Sequence, residues 1–404
     1  MRIAFVNQPW NVCPPPGMGS IAIWTYQIAL RLAERHELVV YARKVPEAPA
    51  CETREKITFQ RYPIWLDGKM NGLAGKLGVG GSEKPIYVRR FYHGFYAFRV
   101  ALDLRRRRCD IIHIHNIIPF SYIIRRFNPS ARIVLHMHCE WLVRLDQHIV
   151  MPYVRQCDAL LGCSDHISQP WIARLPDFTG KVATIYNGVD TERPAIERGG
   201  NREVVILFVG RLTPEKAVHD LIDAYLRVAR QHHDVKLRIV GPEMVTPREY
   251  VFDISPELSH LAGYYDKSYL STLRELVPEE FRERVEFVGH VRHSELKEQY
   301  AAADILVNAA YIEPFGMPLI EAMACEVTVI ATSAGGMKEI VEDGKTGYLV
   351  EAGNIAQLED RLVRLIENAG ERKAMGIRGR ERACRKFGWD VVARDLEAIY
   401  EDLL

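Results

Sequence analysis

Residues 308–350 read NAAYIEPFGMPLIEAMACEVTVIATSAGGMKEIVEDGKTGYLV, and this stretch decides the fold. Glu313 and Glu321 stand either side of the Phe-Gly-x-Pro segment that begins at Phe315. Pro318 suits a first helical position, where its missing N–H is no loss, and Leu319, Ile320, Glu321, Ala322 and Met323 continue as helix formers. The spacing therefore predicts Glu313 on a loop and Glu321 on the opening turn of a helix. A helix start presents free amides and takes anions, and carboxylates beside it suit hydroxyl groups. A ligand carrying both phosphate and sugar fits that description. Residues 327–331 read as a buried strand, which Thr332-Ser333-Ala334-Gly335-Gly336 turns into a short helix over residues 337–342. Two such crossings in succession place two helix starts on one edge of a parallel sheet, the edge where open α/β sheets bind ligands.

Upstream, residues 204–209 are continuously apolar, as in a strand buried on both faces, and Gly210-Arg211-Leu212-Thr213-Pro214-Glu215-Lys216 follows at its end. Arg211 and Lys216 lead into a helix over residues 217–231, where cations oppose the helix dipole. That mismatch favours a bound anion. Arginine can grip a diphosphate bidentately and lysine acts as a point charge. Residues 237–241 and 285–289 read as further strands, 267–276 and 294–302 as helices, and 242–261 as an insertion without an assigned role.

A chain of 404 residues suggests two domains of about 200 residues each. Its composition, 48% hydrophobic and 26% charged, is that of a soluble globular protein, and a formal net charge of +1 argues against bulk nucleic-acid binding. The eight cysteines are scattered without a C-x-x-C pair, which reads as reduced thiols rather than disulfides or zinc ligands. Residues 2–7 open the chain directly as a strand, and no leader-like or membrane-spanning run is present, so a cytoplasmic location is expected.

The first half repeats the strand, loop, helix order. Gly17 and Gly19 lie between the first strand and a helix over residues 21–35, and the third glycine of a dinucleotide fingerprint is missing. Residues 38–42 and 57–62 read as strands, and residues 69–83 as an irregular, mobile loop. Residues 87–108 read as one helix, with Phe91, Tyr92, Phe95, Tyr96 and Phe98 among Arg89, Arg90, Arg99 and the arginines 105–108. Such a helix can present an acceptor or membrane-surface face, because basic residues with aromatics suit anionic headgroups. The preferred reading puts the aromatics in the core and the arginines in solvent. Two strands end in histidines, His113 and His115 on one, His136 and His138 on the other. Without an evident second cluster of ligands, a metal is not expected.

The run E-P-F-G-M-P-L-I-E-A-M-A, followed by V-I-A-T-S-A-G-G-M-K-E-I-V-E-D-G-K-T-G-Y-L-V, resembles the donor-site signature of family 4 of the retaining GT-B glycosyltransferases. Glu313 and Glu321 match that family's paired glutamates, and G-R-L-T-P-E-K matches its G-R-x-x-x-E-K segment, with Ala217 in place of the usual glycine. Glu326 and Thr328 also depart from the pattern, where Gly and Pro are usual. The resemblance covers nearly the whole chain. It implies an α/β fold of the GT-B type, two Rossmann-like domains with parallel sheets facing a cleft: residues 1–195 for the acceptor, 196–386 for the nucleotide sugar, and 387–404 as a helix that crosses back onto the first domain.

The same resemblance implies catalytic roles for His138, Glu313, Arg211 and Lys216. His136 is the alternative to His138 if the register is off by two. Donor contacts fall to Arg211, Lys216, Val291, Glu313, Phe315, Gly316, Met317, Pro318, Leu319 and Glu321, and Gly17 and Gly19 line the cleft by analogy. The implied reaction transfers a sugar with retention of configuration from a nucleotide-diphosphate sugar to a glycan, lipid or small-molecule acceptor, with no further cofactor. A contact with the inner face of a membrane remains open, as does the oligomeric state. No Asp-x-Asp occurs in the chain, so the paired-aspartate metal grip of another glycosyltransferase class is absent. Another GT-B activity, an epimerase or a phosphorylase, is the alternative, ahead of a silent binding module or a dehydrogenase.

Overall fold

The computed structural model describes residues 1–15, 19–76, 86–191, 203–244, 251–252 and 255–404. The chain divides into two compact units, Met1–Asn187 with Trp389–Leu404, and Gly188–Gly388.

The second unit is built on a parallel sheet of β9 (Val204–Val209), β10 (Val235–Val240), β11 (Val285–Gly289), β12 (Ile305–Asn308), β13 (Thr328–Thr332) and β14 (Gly347–Val350), in the order β11-β10-β9-β12-β13-β14. This is the doubly wound order of dinucleotide-binding domains, in which the chain first builds outward from β9 and then restarts at β12 on its other side. The carboxyl ends of β9 and β12, where the order reverses, are the place at which doubly wound sheets bind ligands. Ile206, Leu237, Ile305 and Ile330 are fully buried in the sheet, and Leu221, Ile222 and Tyr225 cover it from the helix Val218–Ala229.

In the first unit, β1 (Arg2–Val6), β2 (Glu37–Arg43), β3 (Cys51–Arg54), β4 (Ile57–Tyr62), β5 (Ile111–His115), β6 (Arg132–Met137), β7 (Ala159–Gly162) and β8 (Lys181–Thr184) are ordered β3-β4-β2-β1-β5-β6-β7-β8. Only β3 runs antiparallel, hairpinned onto β4 through Glu55 and Lys56, both in the left-handed region at φ 55° and 62°. Glu-Lys carries none of the Asn-Gly chemistry that announces such a turn, which is why β3 is invisible in the sequence. The final helix, Trp389–Leu403, belongs to this unit and lies against the helix Ser20–Leu32. Tyr400 is fully buried and its hydroxyl meets His113 Nδ1 at 2.7 Å; Glu397 takes Arg35 at 2.6 Å and His36 at 2.7 Å. All eight cysteines are free. Among the described residues, no helix is long and apolar enough to cross a membrane.

Several expected elements differ. Residues 69–76 are helical, as part of Trp65–Lys76, and 77–83 lie outside the described residues. The continuous helix expected over 87–108 is a 3-10 turn, Ile86–Val88, and a separate helix, Gly94–Arg107, broken where His93 adopts φ 49°. A residue in that conformation cannot continue a right-handed helix. The buried face of Gly94–Arg107 is Tyr96, Ala97, Val100, Ala101 and Leu104, so the expected aromatic core holds for Tyr96, while Tyr92 is half-buried and Phe91, Phe95 and Phe98 are exposed. The helix expected over 337–342 closes at Ile340.

Candidate active site

At the reversal point of the second unit, the loop leaving β9 carries Arg211 and Lys216, and the loop leaving β12 carries Glu313. Lys216 Nζ donates to Glu313 Oε2 at 2.8 Å, both side chains being largely enclosed. Burial alone would raise the Glu313 carboxyl, but the Lys216 ammonium, the Phe315 amide and the Arg211 charge together hold it below its ordinary value. It is therefore a fixed anion. The dipole mismatch expected of two free cations is thus halved: Lys216 has a carboxylate, while Arg211 is exposed and makes no ion pair among the described residues. Ala217, where the resembled family has glycine, sits at φ 52° and ends the 3-10 turn Pro214–Lys216.

Glu313 is held from behind by the Gly335-Gly336 turn. Gly336 N–H donates to the Glu313 carbonyl at 3.0 Å, and a Cβ on Gly335, at φ +57°, would stand 1.9 Å from that same oxygen. Only glycine permits this approach. The helix Met317–Ala324 follows, entered through Gly316 at φ 113° with Pro318 in its first turn. Glu321 is thus one residue further along the helix than expected, and it is 6% exposed. Its Oε2 accepts from the Tyr300 hydroxyl at 2.6 Å and its Oε1 lies 2.7 Å from His293 Nε2. An ionised carboxylate offers about four lone-pair sites, so two such partners orient Glu321 and leave it able to accept more. Phe315 is buried with its ring edge-on to Phe387 at 5.7 Å, and Leu319 is buried; Met317, Pro318 and Val291 are half-exposed.

In the first unit, β5 and β6 pair in parallel with His115 opposite His136. Residues two apart on one strand share a face, so pairing the strands stacks all four histidines on one side of the sheet. His113 Nε2 lies 3.2 Å from His136 Nδ1, and His115 Nδ1 lies 3.1 Å from His138 Nε2. Thr25 Oγ1 lies 3.1 Å from His115 Nε2 and 2.8 Å from the Ile21 carbonyl, and Trp24 packs edge-on to His136 at 4.9 Å. The two strand-end clusters, read as separate in the sequence, are one cluster. His113, His115 and His136 bring their ring nitrogens within 4.8 Å of one another. Burial first, and the neighbouring histidines second, hold all three far below the ordinary imidazole range. They are neutral: His113 and His136 are each other's hydrogen-bond partners, and His115 bonds Thr25 and His138.

His138 differs from the other three. It stands just past the end of β6 and keeps partial exposure, with its backbone N–H on Asn116 Oδ1 at 2.7 Å. Burial pushes its imidazole down to about 3, opposed by Asn187. His136 is fully enclosed. Gly19 starts the helix Ser20–Leu32 at φ 99°, and Gly17 lies outside the described residues.

Residues 190–382 match the family described as glycosyl transferases group 1, and residues 21–193 match glycosyltransferase family 4. An uncharacterized glycosyltransferase of Methanocaldococcus jannaschii is 30% identical over 73% of this chain and 76% of its own. The chain is a family 4 glycosyltransferase. Spore coat protein SA of Bacillus subtilis is 26% identical to this glycosyltransferase over 99% of each chain. The structure of HepE from Anabaena in complex with UDP-glucose covers 100% of both chains at 18% identity with a TM-score of 0.65, a likeness of fold.

Several residues that shape the glycosyltransferase's candidate sites carry no signal in its sequence. Tyr300 and His293 reach Glu321 from a helix and a 3-10 turn more than 20 residues upstream, and Thr25 reaches His115 across 90 positions. Gly335 was visible as a turn residue, but its role as the seat of the Glu313 backbone was not.

Proposed function

We propose that this glycosyltransferase moves a sugar from a nucleotide-diphosphate sugar to an acceptor hydroxyl with retention of configuration and without a metal ion. The observation that carries the reading is the Lys216–Glu313 pair, with Arg211 beside it, at the reversal point of a doubly wound sheet. Arg211 and Lys216 hold the diphosphate and stabilise the charge that develops on it as the glycosidic bond breaks. Glu313 fixes Lys216 in place and accepts from the hydroxyls of the reacting sugar. Glu321, aligned by Tyr300 and His293, accepts from the ribose, and the main chain at Val291 meets the base. The segment from Phe315 through Gly316, Met317 and Pro318 to Leu319 supplies amides at a helix start. To the unit Met1–Asn187 the reading assigns acceptor binding, with Gly19 at the start of the helix Ser20–Leu32, and a part for His138 in the chemical step. His138 has access where His136 has none, which supports His138 for that part. HepE's complex with UDP-glucose supports a nucleotide sugar as the donor.

The test is a thermal-shift screen of nucleoside diphosphates and nucleotide sugars, followed by product analysis with the stabilising donor. Expected are a rise in melting temperature with one nucleoside diphosphate, acceptor-dependent release of it in the presence of EDTA, and a product with the donor's anomeric configuration. Turnover without any acceptor would replace the reading with an epimerase, and a requirement for inorganic phosphate with a phosphorylase. Inversion, or loss on chelation that magnesium restores, would overturn those parts of it.

A further inference from the structure

The helix Gly94–Arg107 presents an apolar stripe to solvent. Phe95, Phe98 and Leu102, spaced i, i+3 and i+7, fall within about 60° of one another around the helix and are 36%, 41% and 36% exposed. Phe91, in the turn before the helix, is 69% exposed. The neighbouring helix Trp65–Lys76 also exposes apolar side chains, Trp65 and Met70 at 63% and 49%. The two helices are tied together by Asp67, a buried carboxylate that accepts from the Phe95 and Tyr96 amides at 3.0 and 3.1 Å. Together they form a standing surface.

Charge decides what covers it. Residues 87–108 hold seven arginines and one acidic residue, in a chain whose formal net charge is only +1. The acidic residue, Asp103, is occupied by the Tyr41 hydroxyl at 2.9 Å and Arg107 Nε at 2.7 Å. Arg105 and Arg106 are exposed at the stripe's end and pair with no carboxylate among the described residues. Arg99 and Lys69 lie over Tyr62 and Trp65, at 4.2 and 5.3 Å from the ring centroids. Aromatics that can enter the headgroup region, with cations beside them that stay in water, match an anionic lipid surface. We propose that this face seats the protein on an anionic phospholipid bilayer, lying on it rather than crossing it.

The test is co-sedimentation of the full chain with vesicles of phosphatidylcholine alone, and with about a third of the lipid replaced by phosphatidylglycerol. Expected are binding to the anionic vesicles only and a decline as salt is raised. Phe95→Ser with Phe98→Ser, and separately Arg105→Glu with Arg106→Glu, should each weaken partitioning at least about tenfold while leaving turnover on a soluble acceptor unchanged. Quenching of tryptophan fluorescence by brominated lipid, diminished in Trp65→Phe, reads the contact without touching the core. Equal binding to neutral vesicles, indifference to both double variants, no binding at low salt, or patch-dependent self-association without lipid would each overturn the proposal.

Discussion

Lys216 and Glu313 lie 97 positions apart and meet at 2.8 Å, each donated by the loop that leaves a different one of the two strands where the second sheet reverses. The pair keeps a cation and an anion charged in a largely enclosed place, where either alone would be costly.

Lys216→Ala should lower turnover by about a hundredfold or more, the usual cost of losing a group that stabilises a departing oxyanion. It should also release Glu313 from its depressed range. A carboxyl whose ionisation Lys216 favours titrates higher without it, so the acid limb of the pH–rate profile should move upward. Arg211→Ala should lower turnover similarly but leave that limb closer to its wild-type position. A profile unmoved by Lys216→Ala would show that the pair does not govern the chemistry.

Gly335→Ala should inactivate the enzyme without touching a ligand. The new Cβ would stand 1.9 Å from the Glu313 carbonyl at a φ of +57° that alanine resists, so the loop must shift or the unit must pay at least about 2 kcal/mol in stability. Chemical denaturation alongside a donor-binding measurement checks this. A variant of normal stability and affinity would contradict it.

Tyr300→Phe removes a hydroxyl that donates to the Glu321 carboxylate at 2.6 Å. Donor affinity should fall roughly ten- to a hundredfold, as for one lost hydrogen bond to a charged group, with turnover at saturation little changed. Calorimetric titration with the preferred donor reads the first number and steady-state kinetics the second. A pure loss of turnover would place Glu321 in the chemical step instead.

His138→Ala and His136→Ala should separate in opposite directions. His138 keeps partial exposure, so its loss should cut turnover while the melting temperature holds. His136 is fully buried and bonded to His113, so its loss should cost about 2 kcal/mol or more of stability. An inactive but stable His136→Ala beside an active His138→Ala would exchange the two assignments.

Acid should weaken the first unit through its histidines. His113, His115 and His136 are held neutral in the fold, whereas in the unfolded chain they titrate near pH 6.5. Above that pH neither state is charged and the fold loses nothing. Below it only the unfolded chain takes up protons, so stability falls with falling pH by up to about 1.4 kcal/mol per histidine per pH unit. Urea melts between pH 7 and pH 5 measure the slope, and replacing His113 with a neutral residue should reduce it. A flat profile would mean that the cluster is charged or already open.

The sequence by itself determined what depends on neighbours along the chain. Continuous apolar runs such as residues 204–209 mark strands buried on both faces, Gly-Pro punctuation marks where helices start, and the spacing of Glu313 and Glu321 around Phe315 to Pro318 marks a candidate site, because period and turn chemistry are local properties. The tertiary structure decided everything that depends on which strands become neighbours. Four histidines on two separate strands became one neutral cluster only because β5 pairs with β6 in the register that sets His115 opposite His136. Tyr300 and His293 came to orient Glu321, and Lys216 came to offset Glu313, through loop closures that no local pattern encodes. The direction in which the Gly94–Arg107 aromatics point was likewise beyond the pattern. Aromatics and arginines alternate around that helix, and only the packing of Tyr96, Val100 and Leu104 against the unit selected which face is buried and left Phe95 and Phe98 in water.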